Sequence, residues 1–313
     1  MTHTALAMHT PPTRSPLRST LTALLVSVSP VAACGQQTDT TVAVQPNARV
    51  QIQNFAGSVT VRGWDRSAVR VVAGQNRRDG VQVRERDGLL SIVTVSRTGV
   101  PAPLDYEISV PMRATLDISG TYTDITVEGV RGPVSANTVQ GDVRLRGGDG
   151  VISLKSVQGS VVLQDASGRI EVNGVNKGLT LRNVSGDIAA ETVNGSILLD
   201  GIESSDVEAV TVNGRVSYDG TIRDRGRYRF ATHNGSIVVS IPERANATVA
   251  AVSYEGTFSS RFALPASATT ASNGPRHRAN FALGTGSARV EAESFQGSII
   301  LARPGDAVAR PKE

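Results

Sequence analysis

Residues 186–199 read GDIAAETVNGSILL and contain one nine-residue unit and the start of its next copy. After each glycine, Gly186 and Gly195, apolar residues stand two and four positions further on. Apolar and polar residues therefore alternate, as in a β-strand that buries one face. The same spacing of nine runs back along the chain through these positions: Lys177, Gly168, Gly159, Gly150, Gly141, Gly132 and Thr123.

A second period, twice as long as the first, is contained in it, because alternate units carry an amide immediately before the glycine position. These amides are Gln140, Gln158, Asn176, Asn194, Asn213 and Asn234. Coils of two units each would stack these turns on one another, and stacked amides can form a hydrogen-bonded ladder. The sequence therefore predicts an all-β fold, a β-solenoid (β-helix-like) of nine-residue strand-turn units, two per coil, with β caps at its ends.

A meander of β-hairpins is the alternative, since Asn-Gly is also a strong signal for a two-residue hairpin turn. We favour the solenoid because a meander gives no reason for odd and even turns to differ chemically. In a solenoid, residues 123–240 would form a rod of about 30 Å at ~4.8 Å per coil. The positions two before the glycine are then expected to face inward: Val139, Val157, Ala166, Val175, Val184, Val193, Val212 and His233.

The flanks of the repeat contain further strands. Residues 46–118 form an N-terminal β segment and cap, with an outlying copy of the unit at Gly57, a hairpin over 81–95 turning at Asp87-Gly88, and two strands broken at Pro111. The repeat domain extends over residues 119–302 and ends in looser copies at Gly256 and Gly297. Residues 265–275 are predicted to be a polar loop, and residues 303–313 a disordered tail.

The N-terminus resembles a bacterial export signal. Residues 1–20 are polar with two arginines, and residues 21–33, LTALLVSVSPVAA, are apolar but shorter than the roughly 20 residues of a membrane span. We predict a signal peptide over 1–33. Val31-Ala32-Ala33-Cys34 resembles a lipobox, so Cys34 is expected to carry lipid, residues 34–45 to form a tether, and Gly35 to favour an outer-membrane lipoprotein of the cell envelope.

Composition excludes several kinds of function. Lys and Arg number 32 against 28 Asp and Glu, and no run of five basic residues occurs, so no nucleic-acid partner is expected. The single cysteine cannot form an intramolecular disulfide or a thiolate zinc site. Only His233 and His277 follow the signal segment, so neither a metal centre nor a cofactor is predicted.

We predict that the chain is not an enzyme and has no catalytic residues. The outward acids that come nearest to one another lie on the face opposite the amide turns: Glu171, Asp187, Asp206 and Glu208, together with Arg169. A solvated surface is the expected role of such a group. The alternative is a glycan-active β-helix enzyme, of the polysaccharide lyase or hydrolase type, that uses Asp187 or Asp206.

A candidate binding face lies on the strands that follow the amide turns, where the outward residues carry little charge. Its members are Ser160, Val162, Thr180, Ser196, Leu198, Ser217, Ser236 and Val238. Such a face has less hydration to lose on contact than a charged one. The alternative is that the rod is only a spacer, and the oligomeric state stays open.

Three segments resemble the bacterial putative adhesin family, which includes the head GIN domain proteins and related β-strand-repeat domains. They are Tyr106–Pro111 (YEISVP), Leu116–Ile118 (LDI), and the repeats Asn183–Ile188 (NVSGDI) and Thr192–Ile197 (TVNGSI). The resemblance extends over most of residues 40–302. It implies a β-helical fold, export, and an adhesin-like role at the cell envelope, with an envelope glycan or protein as partner. It supplies no catalytic residue to transfer.

Overall fold

The computed structural model describes residues 37–74, 79–97 and 99–304, and the all-β expectation is confirmed there. The strands are β1 Gln37–Ala43, β2 Arg49–Trp64, β3 Ala68–Gly74, β4 Asp79–Arg86, β5 Leu89–Ser96, β6 Tyr106–Pro111, β7 Thr115–Glu128, β8 Val134–Gln140, β9 Val143–Arg146, β10 Asp149–Ser156, β11 Val161–Gly174, β12 Leu179–Thr192, β13 Ile197–Asn213, β14 Val216–Gly220, β15 Arg227–Asn234, β16 Ile237–Ser240, β17 Ala247–Ser253, β18 Phe258–Ser260, β19 Thr269–Asn273, β20 Arg276–Leu283, β21 Ala288–Gln296 and β22 Ile299–Ala302. Within these ranges, no helix has the length and apolar character needed to cross a membrane. The predicted signal peptide, Cys34 and residues 305–313 lie outside the described residues.

The middle of the sheet is parallel and advances by two units per step, as predicted. Val161 of β11 pairs with Leu179 of β12, which pairs in turn with Ile197 of β13. A bulge then widens the step, so that Asp187 pairs with Asp206. The hairpin meander is wrong for this region, because its neighbouring strands would be antiparallel.

Long strands bend and belong to two sides of the molecule. The pairings β7–β8, β8–β10, β10–β11, β11–β9 and β9–β7 close a ring of five parallel strands, with the remaining strands outside it. One corner recurs once in each coil and uses a left-handed backbone conformation, which glycine, Asn and Asp adopt most readily. Its residues are Gly129, Gly147, Asp165, Asn183 and Gly201.

The core consists of inward rows that run through successive coils. The residues two after the amide-turn glycine are all 1% exposed or less: Val143, Val161, Leu179, Ile197, Val216, Ile237 and Ile299. Leu163, Leu181 and Leu199 form the adjacent row and are fully buried. Each coil thus covers the apolar residues of the next, as the period-two pattern predicts.

The amide turn holds neighbouring coils together through its backbone. A buried hydroxyl three residues before the glycine donates a hydrogen bond to a carbonyl of the preceding coil, as Thr211 does to Gly195 O over 2.9 Å and Thr232 to Gly214 O over 3.0 Å. The backbones are so close that a methyl group on Gly159 would lie 1.7 Å from Gly141 O. Glycine is therefore required there by close packing.

The predicted amide ladder is confirmed. Asn213 Nδ2 donates to Asn194 Oδ1 over 2.8 Å, and Asn234 Nδ2 donates to Asn213 Oδ1 over 2.7 Å. Asn194 and Asn176 continue the series with a longer bond of 3.4 Å. The ladder thus runs from Asn176 to Asn234 along the exposed edge of the stack.

The prediction that residues two before the glycine face inward is wrong at the amide turns. Four valines there are 39–48% exposed: Val139, Val157, Val193 and Val212. The preceding Thr or Ser takes the inward position with its hydrogen-bonded hydroxyl, so alternation turns the valine outward. His233 is exposed for the same reason. At the alternate turns, Ala166 and Val184 are buried as predicted.

The N-terminal cap is mostly as predicted. The outlying copy stacks on the first unit, with Gly57 paired to Thr123. The β4–β5 hairpin turns at Asp87 and Gly88, both with positive φ, and β6 ends at Pro111. Residues 37–43 differ from the predicted tether, because β1 pairs antiparallel with β3 along its full length.

The C-terminal coils stack in an order that differs from their order in the chain. β22, in the copy at Gly297, pairs with β16 of the Gly235 unit, and β18, in the copy at Gly256, pairs with β22. The prediction of a loop over 265–275 is wrong for residues 269–273, which form β19 and pair antiparallel with β20. This hairpin lets β17 and β20 close one side of the stack.

Ile197→Asp and Ser196→Asp should differ sharply in stability although they are adjacent. Ile197 is 1% exposed, so a carboxylate there would be buried without a partner and should destabilise the fold by several kcal/mol. Ser196 is exposed, and its oxygen only accepts the N–H of Arg215, which an aspartate can also do. Urea unfolding of both variants measures the difference, and equal midpoints would show that the inward and outward rows are misassigned.

Candidate binding surface

The residues predicted to form a binding face lie together on one side of the stack. Val162 pairs with Thr180, and Leu198, Ser217 and Val238 follow in register on successive strands. A second row beside them contains Ser160, Ser196 and Ser236. We call these two rows, from Ser160 to Val238, the low-charge strip, because Arg215 is its one charged residue.

Two members of the predicted face are not available for contact. Ser217 is 4% exposed and Val238 is 5% exposed, which corrects their assignment as surface residues. Ser217 lies between Leu198 and Val238, and Val238 lies between Ser217 and Ile300. Ser196 is exposed, and these members are half-buried: Ser160, Val162, Thr180, Leu198 and Ser236.

Hydrogen bonds between coils fix the polar groups of the strip. Asp142 Oδ1 accepts the N–H of Ser160 over 2.8 Å and its hydroxyl over 2.9 Å. Further along, Ser196 Oγ accepts the N–H of Arg215, and Arg215 Nε donates to Ser236 Oγ, both over 3.2 Å. The strip is therefore ordered before any partner arrives.

The first carboxylate of this side has shifted acidity. Partial burial of Asp142 opposes ionisation, but the N–H and hydroxyl of Ser160 and the guanidinium of Arg144 outweigh it and lower the pKa of the carboxyl. Arg144 Nη2 lies 2.6 Å from Asp142 Oδ2. Asp142 is thus an anion that anchors the row of serines, and its environment does not equip it to donate a proton.

Ion pairs cover the opposite side of the stack. They join residues of adjacent strands or residues two apart on one strand. They are Lys155–Glu171, Arg227–Asp206, Arg229–Glu208 and Arg289–Glu291. Such pairs on an exposed sheet contribute little each, about 0.2–1 kcal/mol. This charged face has the character of the solvated surface that the sequence predicts.

The acids considered for an enzyme surround a shallow depression on the charged face. It has a volume of about 360 Å³ and its lining includes Asp187, Asp206, Glu171, Glu208 and Arg169. Asp187 and Asp206 are register neighbours on β12 and β13. Asp187 is exposed and Asp206 pairs with Arg227 over 2.6 Å, whereas a general acid for glycoside cleavage needs apolar surroundings that keep its proton.

Within the described ranges, no three His, Cys, Asp or Glu side chains are grouped so that they could hold a metal ion. His233 lies on the exposed edge, with its ring stacked on that of Phe295 at 4.7 Å between centroids. His277 lies on β20, in the hairpin with β19. The two histidines therefore belong to different features.

A second surface was missed by the sequence reasoning. The valines at the amide turns form one continuous line, in which Val175 is half-buried and the other four are exposed. We call it the valine ridge and define it as Val139, Val157, Val175, Val193 and Val212. His233, Phe295 and Tyr254 prolong it, with rings of Phe295 and Tyr254 5.8 Å apart. The signal was present in the repeated Val-Asn-Gly and Val-Gln-Gly triplets, which we interpreted as inward-facing.

Comparisons with known proteins yield only distant likenesses. No family model matches the sequence, and no curated protein does. Solved structures that align with this chain include a putative adhesin from Bacteroides fragilis (9% identity, TM-score 0.38, 85% of this chain and 97% of that one) and a putative lipid binding protein from Parabacteroides distasonis (11%, 0.39, 86% and 98%). A putative cell adhesion protein from Clostridium sporogenes aligns with 10% identity and a TM-score of 0.22 over 86% of this chain and all of that one. The function therefore has to rest on the geometry of this chain.

The acidity of Asp142 predicts how its contribution to stability depends on pH. Its pKa is lower in the folded chain than the unfolded value of about 3.9, so its contribution is fully present well above that value and is lost as pH falls from there through the folded pKa. The difference in unfolding free energy between wild type and Asp142→Asn should be constant from about pH 6 to 8 and shrink in acid. Urea titrations at several pH values measure it, with Ser160→Ala expected to reduce the acid dependence. A difference that stays constant down to pH 2 would contradict the assignment.

Proposed function

We propose that this chain is an exported protein of the cell envelope that binds a partner without catalysis, and that its two-unit coils form a β-solenoid presenting the low-charge strip as contact surface. The observation that carries the proposal is the asymmetry between the two sides of the stack. One side is covered by ion pairs such as Arg227–Asp206, and the low-charge strip on the other offers hydroxyl and apolar groups with Arg215 as its one charge.

The asymmetry matters because a contact has to displace water from both partners. Charged groups lose strong hydration on burial and are depleted from the centres of interfaces. The strip instead offers ordered hydroxyls beside the apolar Val162 and Leu198, a mixture that suits the hydroxyl-rich, uncharged surface of an envelope glycan or the rim of a protein. Its polar groups are already fixed by bonds such as that between Ser160 and Asp142, which lowers the ordering cost of binding.

Glycan cleavage is the competing function, and its candidate residues are Asp187 and Asp206. Both acids face open solvent or a cationic partner, so neither has the environment of a general acid. The expected outcome is that purified protein leaves acidic polysaccharides intact. Cleavage that is lost in Asp187→Asn or Asp206→Asn would overturn the non-catalytic proposal.

Placing two cations on the strip should weaken binding. In Thr180→Arg/Ser196→Arg both guanidinium groups project from the outer face and must be desolvated by any partner. We expect the affinity for purified envelope glycans or for the bacterial surface to fall by at least tenfold, which corresponds to about 1.4 kcal/mol. Pull-down of labelled protein with cell-wall fractions measures it.

The matched control carries the same change on the charged face. Ser153→Arg/Ala189→Arg adds two cations to outward, half-buried positions of β10 and β12, on either side of β11, without touching the strip. Its binding should equal that of wild type, and both double variants should melt as wild type does. If Thr180→Arg/Ser196→Arg folds and binds normally, the strip is not the contact surface.

Attachment to the envelope is proposed to occur through lipid on Cys34, which follows the apolar segment in the lipobox-like Val31–Cys34. A lipid chain contributes about 0.8 kcal/mol of membrane affinity per buried CH₂. Mass spectrometry of protein extracted from membranes should find Cys34 as a lipidated N-terminus, and Cys34→Ser should release the protein from the membrane fraction. An unmodified Cys34, or cleavage at another bond, would disprove the anchor.

A further inference from the structure

The valine ridge is an exposed apolar line along a corner of the stack. Val139, Val157, Val193 and Val212 are each 39–48% exposed, and Phe295 further along is 40% exposed. From Val139 to Tyr254 the line crosses eight successive coils, about 34 Å at ~4.8 Å per coil. Apolar side chains so arranged are unusual on a monomer and mark a contact site.

The ridge lies beside the amide ladder, and the two have the same period. Asn194 and Asn213 each use one N–H and one oxygen lone pair for the bonds along the ladder. One further N–H and one lone pair per side chain remain for an outside partner. From Val139 to Asn213, the edge therefore presents one valine side chain and one side-chain amide at every coil.

The edge carries one formal charge in its central part, that of the exposed Lys177 directly after Asn176. Neither the ridge from Val139 to Val212 nor the series of turn amides from Gln140 to Asn234 contains an Asp, Glu, Lys or Arg. Charges such as Lys155 and Glu171 lie on the charged face. Apart from Lys177, two such edges can approach each other without like-charge repulsion.

We propose that the valine ridge and its amide ladder form a self-association surface whose occupant is a second copy of this chain, packed edge to edge. A two-fold contact requires a patch that is complementary to itself, and an edge of valines and amides meets that requirement because an amide is both donor and acceptor. Successive valines and amides are ~4.8 Å apart, which is the separation of neighbouring strands in a sheet. The second copy has the same spacing, so its valines and amides match those of the first in register along the whole edge.

The size of the edge sets the strength of the contact. A line about 34 Å long and roughly 10 Å wide covers on the order of 700 Å² over both copies, at the low end for specific contacts. The association is therefore weak and depends on concentration. It uses the corner of the coil and leaves the low-charge strip free, so it is independent of the proposed binding function.

Sedimentation velocity over about 5–500 µM tests the proposal, since weak pairs form in this range. The full chain carries Cys34→Ser, so that neither lipid nor a disulfide links copies. The sedimentation coefficient of this parent should rise with concentration. In Val157→Asp/Val193→Asp, exposed carboxylates would face one another across the contact, and the apparent dissociation constant should rise by at least tenfold.

Val151→Asp is the control, because Val151 is 58% exposed on β10, away from the ridge. It should associate as the parent does. Val157→Thr/Val193→Thr keeps side-chain shape and covers the case in which the aspartates impair folding; it should weaken association to a lesser extent. A parent that stays monomeric, ridge variants that associate unchanged, or equal loss in Val151→Asp would each overturn the proposal.

Discussion

Backbone contact at the amide turn sets the spacing on which the rest of the molecule depends. A methyl group on Gly235 would lie 1.9 Å from Gly214 O, and the buried hydroxyl of Thr232 donates to that same carbonyl over 3.0 Å. Glycine permits the approach, and the hydroxyl satisfies a carbonyl that the core would otherwise leave without a partner. Since the contact recurs at most of the amide turns, neighbouring coils are held in register, and every position of the unit becomes a row along the stack.

Rows explain how one short unit produces surfaces of opposite character. A charged position gains from a charge of opposite sign in the adjacent coil, as Arg229 does from Glu208, so charges concentrate where pairs can form. The outward positions after the amide turn have small hydroxyl or apolar side chains, and their hydrogen bonds go to adjacent coils, as between Arg215 and Ser236. One side is consequently costly to desolvate and the other is not, although both have the same backbone.

The features that the sequence predicted are those encoded locally. Period-two alternation predicts the inward rows, and the amides at every second unit predict the ladder. Asp87-Gly88 predicts the turn of the β4–β5 hairpin. The exposure of Val157 was not predicted, because which residue turns outward depends on where the buried hydroxyl of the turn lies. The burial of Ser217 depends on neighbours such as Leu198 and Val238 from other coils. The reversed stacking of the Gly256 and Gly297 copies was also hidden, since either copy fits the register of the stack.

The two candidate surfaces lie on different sides of the same turn, so both can be in contact with a partner at once. Val193 lies two residues before Gly195 and Ser196 one residue after it, so the corner separates the ridge from the strip. Copies joined along their ridges would each keep a free strip, and a pair would hold two binding surfaces at a fixed distance. Two weak contacts held together bind a repetitive partner far more tightly than either alone, because the second contact forms at a high effective concentration. An envelope glycan is repetitive in this sense, so a weak strip and a weak ridge together would give strong attachment without a deep pocket on either.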